Sequence, residues 1–204
     1  MHNIIIPFYV SWLYMASTYY DFSKNKDAYL NNNNNIGNKI DIIFSNVFIY
    51  LPLSLYILLT FQPIETTHYS FFHEFFHIIL NVFFGEIWFY TLHRISHTKY
   101  FYKYHKIHHE VVDTLGIFAL YAHPLDAIIV NVGSVYALHL ILQFSALQVY
   151  LIATFAIINT VIKSHSGKKR NLSHQIHHLK FNVNYGLNLF MDYLFNTAAY
   201  PKRV

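Results

Sequence analysis

Four stretches of this chain carry almost no charge, and they restrict its architecture more than any other feature. Ile4 to Tyr20 and Ile42 to Phe61 contain no Asp, Glu, Lys or Arg, Phe75 to Leu92 contains only Glu86, and Ala127 to Ile162 runs 36 residues with none. A helix crosses the hydrocarbon of a bilayer with about 20 apolar residues. The first three stretches are each long enough for one crossing, and the fourth for a tight helical hairpin. With only 12% of the 204 residues charged and 54% hydrophobic, too little charge remains for an ordinary soluble surface. The expected fold class is therefore an all-α integral membrane protein of four or five membrane helices.

The first stretch lacks a basic leader and an obvious cleavage site, so it reads as a retained anchor. The absence of cysteine excludes thiolate ligands and disulfides. Between Asp21 and Asp41 the polar, Asn-rich segment reads as a disordered loop. Lys and Arg gather in that loop (Lys24, Lys26, Lys39), after the third stretch (Arg94, Lys99, Lys103, Lys106) and after the hairpin (Lys163, Lys168, Lys169, Arg170, Lys180). If every stretch crosses, all of these fall on one side, which the positive-inside rule makes cytosolic. The N-terminus is then lumenal, and the Asn171-Leu-Ser sequon stays unmodified.

Eleven of the 15 histidines fall between His93 and His178, and ten of them, all but His139, form a recognisable pattern. His93 and His97 are four apart; His105, His108 and His109 are spaced i, i+3, i+4; His174, His177 and His178 repeat that pattern; His123 and His165 stand alone. Helical residues three or four apart share a face and can reach one ion. Adjacent ones diverge by about 100°, so His108 and His109, and likewise His177 and His178, are assigned to different ions. The pattern therefore implies two metals close together. A lone histidine is more often a packed imidazole with one hydrogen bond, and it is the grouping that favours ligation. Imidazole suits iron, zinc, copper or nickel, and binding is expected to weaken as pH falls through the histidine range. His73 and His77 are read as interfacial at the opposite end of the third span, His139 lies inside the hairpin, and His2 and His68 flank spans.

The motifs HRISH (93–97), YKYHKIHHE (102–110), YAHPLD (121–126), HSG (165–167) and HQIHHLKFNVNYG (174–186), with a looser match in MDYLFNT (191–197), resemble the fatty acid hydroxylase and sterol desaturase superfamily of membrane-bound histidine-box enzymes. LGIFALYAHPLD followed by HHLKFNVNYG looks most like the sterol C4-methyl oxidase group; sterol C5-desaturases share part of that pattern. The resemblance implies residues 1–85 as membrane helices and 86–204 as the catalytic region including hairpin 127–162, with a cytosolic helical cap carrying the boxes. It implies two iron ions, replaceable by zinc on isolation, held by His93, His97, His105, His108, His109, His123, His165, His174, His177 and His178, with no catalytic residue beyond these ligands. O2 and electrons from NAD(P)H, delivered by cytochrome b5 or its reductase, would oxidise a C–H bond of a sterol or fatty acyl lipid drawn from the bilayer. The alternatives are a C5-desaturase, a fatty acyl or sphingolipid hydroxylase, or a non-catalytic metal- or lipid-binding membrane protein. The implied location is the endoplasmic reticulum, and no nucleic-acid partner is expected. Several positions depart from the family pattern. Glu86 replaces Asp ahead of the first box, the interval from His165 to His174 is short, Ser173 and Gln175 flank the third box, and Asn196 replaces a common Gly.

Overall fold

The computed structural model describes residues 2–32, 35–65, 69–112, 114–166 and 172–200. Among these the chain is helical, without a strand. Helix α1 spans His2–Lys24, α2 Lys26–Leu30, α3 Ile36–Phe61, α4 Phe71–Ser96, α5 Tyr102–His105, α6 Pro124–Leu140, α7 Ala146–Ser164, α8 Leu172–Lys180 and α9 Phe190–Leu194. The rods α1, α3, α4, α6 and α7 share two common ends. At one, Asn3 Nδ2 donates to the Leu59 carbonyl at 3.0 Å, Gln143 Nε2 to Pro63 at 2.7 Å, and the His139 ring to Gln62 at 2.8 Å. At the other, Asn25 Nδ2 donates to Ser166 Oγ at 3.0 Å and Lys39 pairs with Glu110 at 3.5 Å. The loops expected on the histidine side therefore do meet there.

α3, α4 and α7 are long and apolar enough to cross a membrane, and α6 is a shorter apolar helix. Four or five crossings were expected. α6 falls short in length, while α1 has the length but carries several Tyr, Ser and Thr residues. α1 buries Ile6, Val10 and Tyr14 at i, i+4, i+8 against α3 and α7, yet exposes Phe8 and Trp12. α4 likewise exposes Phe72, Phe75, Phe76 and Phe83. Rods apolar on their outer as well as inner faces suit lipid rather than water. The charge-free run 127–162 forms the expected hairpin. Its turn is closed by a reciprocal cap, in which Ser145 accepts from the Gln148 N–H at 3.2 Å and the Gln148 side chain accepts from the Ser145 N–H at 2.9 Å. A Cβ on Gly85 would sit 2.5 Å from the Ser134 carbonyl oxygen, so glycine permits α4 and α6 to touch backbone to backbone.

Three stretches are π-wound: Asn46–Tyr50 in α3, Ala127–Val132 in α6 and Asn159–Ser164 in α7. The first precedes Pro52, which has no N–H to give to the turn before it.

The Asp21–Asp41 segment is not a loop over most of its length. α1 continues to Lys24, α2 follows, and α3 begins at Ile36; Asn33 and Asn34 lie outside the described residues. The buried Asp21 carboxylate organises it, accepting from Asn25 Nδ2 at 2.6 Å, Tyr29 OH at 2.8 Å, Ser166 OH at 2.6 Å and the Gly116 N–H at 2.9 Å.

Candidate metal centre

α4 supplies His93 and, one turn on, its C-cap His97. The short α5 ends in His105, and a single 3-10 turn follows, carrying His108 and His109. His165 stands just after α7, and α8 presents His174, His177 and His178. Together they form two groups. His93, His97, His105, His109 and His177 form one and His108, His165, His174 and His178 the other, with the ligand atoms of each group within 4.8 Å of one another. His108 and His109 separate into different groups, as do His177 and His178, following the angular divergence of adjacent helical residues.

The hydrogen bonds behind the rings fix which nitrogen faces inward. His93 Nδ1 donates to the Tyr185 carbonyl at 2.7 Å, His177 Nδ1 to Val183 at 2.7 Å, His165 Nδ1 to Thr160 at 2.8 Å, His108 Nδ1 to Tyr121 at 3.2 Å, and His105 Nδ1 bonds Asp126 Oδ2 at 3.0 Å. A carbonyl only accepts, so in the neutral ring the proton sits on Nδ1 and Nε2 presents a bare lone pair. Yet the Nε2 atoms of His93 and His105, two rings both held through Nδ1, lie 3.1 Å apart and face each other. Lone pairs of neutral rings pointed at one another repel unless a cation lies between them. Nitrogens bound at about 2.1 Å and at right angles stand roughly 3.0 Å apart, so the donor set fits a pair of transition-metal ions.

Burial and crowding keep the rings outside the membrane helices neutral. Burial and, after it, the neighbouring imidazoles of His177 and His105 hold His97 down at about 2; burial holds His165 and His177 at about 4, with His105 adding to it at His177. His108, His174 and His178 are driven well below the usual value by burial, then by neighbouring rings. The free site is thus already deprotonated near neutral pH, and the loss of ligation expected around the ordinary histidine value shifts to more acid conditions.

The FNVNYG tail is what orients the first group. Its carbonyls at Val183 and Tyr185 hold His177 and His93, and two buried carboxylates hold the tail. Glu86 accepts from the N–H groups of Leu187 at 2.9 Å and Asn188 at 3.0 Å; Asp192 accepts from Tyr185 at 2.8 Å and Gly186 at 2.7 Å. A Cβ on Gly186 would meet Glu86 Oε1 at 2.5 Å and Asp192 Oδ2 at 2.9 Å. Glu86 thus uses its longer reach to pin the loop. Ser173 contributes through its carbonyl, which accepts from Asn184 Nδ2 at 3.0 Å. Asn196 takes a left-handed φ of 55°, a conformation that Asn and Gly share.

A cavity of about 570 Å³ lies between the rods, lined by apolar residues such as Leu51, Ile78, Val82, Val132 and Ile152. It reaches Phe89, whose ring is 5.0 Å from that of His93, and Thr160, whose carbonyl holds His165. All three π-wound stretches contribute to its wall.

Nine of the ten expected ligands come together. His123 stays apart. It caps α6, its Nδ1 accepting from the Leu125 N–H at 3.2 Å, and packs against Tyr104 at 4.9 Å. His139 is fully buried and structural, donating to Gln62 and accepting from the Phe144 N–H at 2.9 Å. His73 and His77 pack 4.0 Å apart near the start of α4, away from both groups, and His2 sits beside Tyr150. His68, Lys168, Lys169, Arg170 and Asn171 lie outside the described residues. Asp126, Glu86 and Asp192, together with four backbone carbonyls, support the rings. Sequence marked Glu86 only as a departure from pattern; Asp126 sat inside the YAHPLD motif, and carbonyls leave no sequence signal.

The sequence model of the fatty acid hydroxylase family matches residues 78–197. Fatty acid hydroxylase domain-containing protein 2 of Macaca fascicularis is 34% identical over 132 residues, covering 58% of this chain and 39% of that protein. Methylsterol monooxygenase 1 of Danio rerio is 34% identical over 134 residues, covering 56% and 44%. A putative methylsterol monooxygenase of Dictyostelium discoideum reaches 49% identity over 51 residues, 24% of this chain and 19% of that one. The chain thus covers under half the length of these relatives, and no solved structure matches it.

Proposed function

The chain belongs to the fatty acid hydroxylase family, and on that premise we propose that it oxidises an unactivated C–H bond of a membrane lipid with O2. A sterol methyl group is the favoured substrate. The observation that carries this reading is the pair of imidazole groups at the end of an apolar cavity between membrane helices. Likeness to proteins named methylsterol monooxygenase supports the sterol over a fatty acyl chain.

His93, His97, His105, His109 and His177 would hold one iron, and His108, His165, His174 and His178 the other. Two irons so held supply the activation of O2, one oxygen atom entering the C–H bond and the other leaving as water with two external electrons and two protons. The chain's own part is positional. The carbonyls of Tyr185, Val183, Tyr121 and Thr160 and the Asp126 carboxylate hold five rings with Nε2 inward. The cavity walls admit the lipid from the bilayer and keep water out.

In this reading the histidine side faces the cytosol from the endoplasmic reticulum. Arg94, Lys99, Lys103 and Lys106 then lie where an acidic electron carrier such as cytochrome b5 docks, and opposite charge speeds encounter. The same residues also serve as ordinary topology determinants and headgroup contacts. Membranes carrying the protein, supplied with iron, NAD(P)H, reductase and 4-methyl sterols under 18O2, test the activity by mass spectrometry. A labelled sterol that disappears with His109→Ala supports it. Metal-replete protein that leaves every sterol and acyl lipid unlabelled would indicate a lipid-binding protein without turnover.

A further inference from the structure

The residues that line the cavity and are also exposed lie only on two rods and one loop: Val82 on α4, Leu151, Phe155 and Lys163 on α7, and Leu187 and Asn188 beyond α8. The cavity therefore opens sideways, between α4 and α7. Other seams around it are closed. α4 meets α6 backbone to backbone at Gly85, and Trp88 Nε1 donates to the Ile129 carbonyl at 2.8 Å. Ser11 Oγ donates to the Val47 carbonyl at 2.6 Å between α1 and α3, and the hydroxyls of Tyr9 and Thr154 bond at 2.7 Å between α1 and α7. α4 and α7 are tied together beside the hairpin turn, where Ser145 Oγ donates to Glu74 Oε2 at 2.9 Å and Gln148 Nε2 to the Glu74 carbonyl at 3.4 Å. From there toward the histidines, Val82 (40% exposed) and Phe155 (55% exposed) flank an open slot.

The α7 edge of this slot has a direction. Leu151, Phe155, Asn159 and Lys163 follow one another four residues apart, so they share a face, and all four line the cavity. The edge is apolar near the hairpin turn and ends in an amide and an ammonium group, two residues short of His165. Leu151 to Lys163 covers roughly 17 Å of helix, close to the roughly 15 Å of hydrocarbon in one leaflet.

We propose that the slot between α4 and α7 takes up a lipid from the leaflet on the histidine side, with its polar head beside Lys163 and Asn188 and its hydrocarbon along Phe155, Leu151 and Val82. The inference rests on the lipid-oxidation reading and adds a route and an orientation to it. The carbon brought to the metals then lies nearer the head of the lipid than its tail.

Photoaffinity mapping on the full, metal-loaded chain in lipid nanodiscs tests this. Four probes serve: cholesterol and a long-chain fatty acid, each carrying a diazirine either beside its polar head or at the end of its hydrocarbon. For at least one of the two lipids, the head-labelled probe is expected to mark Asn159, Lys163 or Asn188 and the tail-labelled probe Leu151 or Val82. Excess unlabelled lipid is expected to compete both away. Val82 and Phe155 are exposed, so the double variant Val82→Trp, Phe155→Trp fills the slot without disturbing the core, and it is expected to lose the competable labelling. Phe8→Trp, on the outer face of α1, is expected to keep it. No competable labelling of the slot by either lipid, head and tail marks in the reverse order, or competable labelling that survives in the metal-replete double variant overturns the proposal. Should the double variant lose its metal, the wild-type maps decide alone. Failure of the lipid-oxidation reading appears separately, as competable labelling of the slot without 18O incorporation.

Discussion

At the scale of single residues, the centre depends on which nitrogen of each ring faces inward. Asp126 sets this for His105, and Asp126→Ala is expected to weaken metal binding about 10- to 100-fold in chelator competition; unchanged affinity would mean the ring is oriented by other contacts. His123→Ala, by contrast, is expected to retain full metal by elemental analysis, because its ring caps a helix away from both groups. Spacing alone separated His108 from His109, since helix geometry makes neighbours diverge. It could not separate His123 from the nine histidines that come together, because a capping histidine before proline looks like any other in sequence. The depressed values of His165 and His177 also have a thermodynamic consequence. Between the ordinary value of about 6.5 and their folded value of about 4, the unfolded chain takes up protons that the folded chain refuses. Metal-free protein therefore loses stability as pH falls through that window, by about 1.4 kcal/mol per ring per pH unit. Thermal unfolding after chelation should shift down between pH 7 and pH 5; a flat profile would contradict the burial of these rings.

At the scale of elements, the centre is held as much by a loop as by helices. Residues 183–187 pass between His93 and His177 on one side and Glu86 and Asp192 on the other. Gly186→Ala forces a Cβ against both carboxylates, an overpacking that costs about 1–3 kcal/mol and displaces the two carbonyls. Loss of metal from the five-histidine group is expected, while Gly37→Ala, whose nearest neighbour would be a side-chain oxygen at 3.5 Å, serves as the unaffected control. The apolar stretches and the hairpin were legible because a membrane helix is written in composition. The helical character of Asp21–Asp41 was not. It depends on a buried carboxylate collecting donors from Asn25, Tyr29, Gly116 and Ser166, the last two of them distant in sequence. Polar composition by itself could not reveal that convergence.

At the scale of the whole molecule, both histidine groups lie at one end of the five rods, and an apolar cavity lies between the rods. The one-sided clustering was readable from Lys and Arg placement, whereas the cavity and its π-wound walls depend on helix packing that no local pattern specifies. The central claim is that the two groups each hold one ion. The direct measurement is metal per chain on protein purified in mild detergent, for wild type, His97→Ala, His165→Ala and the double variant. About two ions in wild type, about one in each single variant and none in the double variant is the expected result. A single ion in wild type, or a content that neither substitution changes, would contradict it.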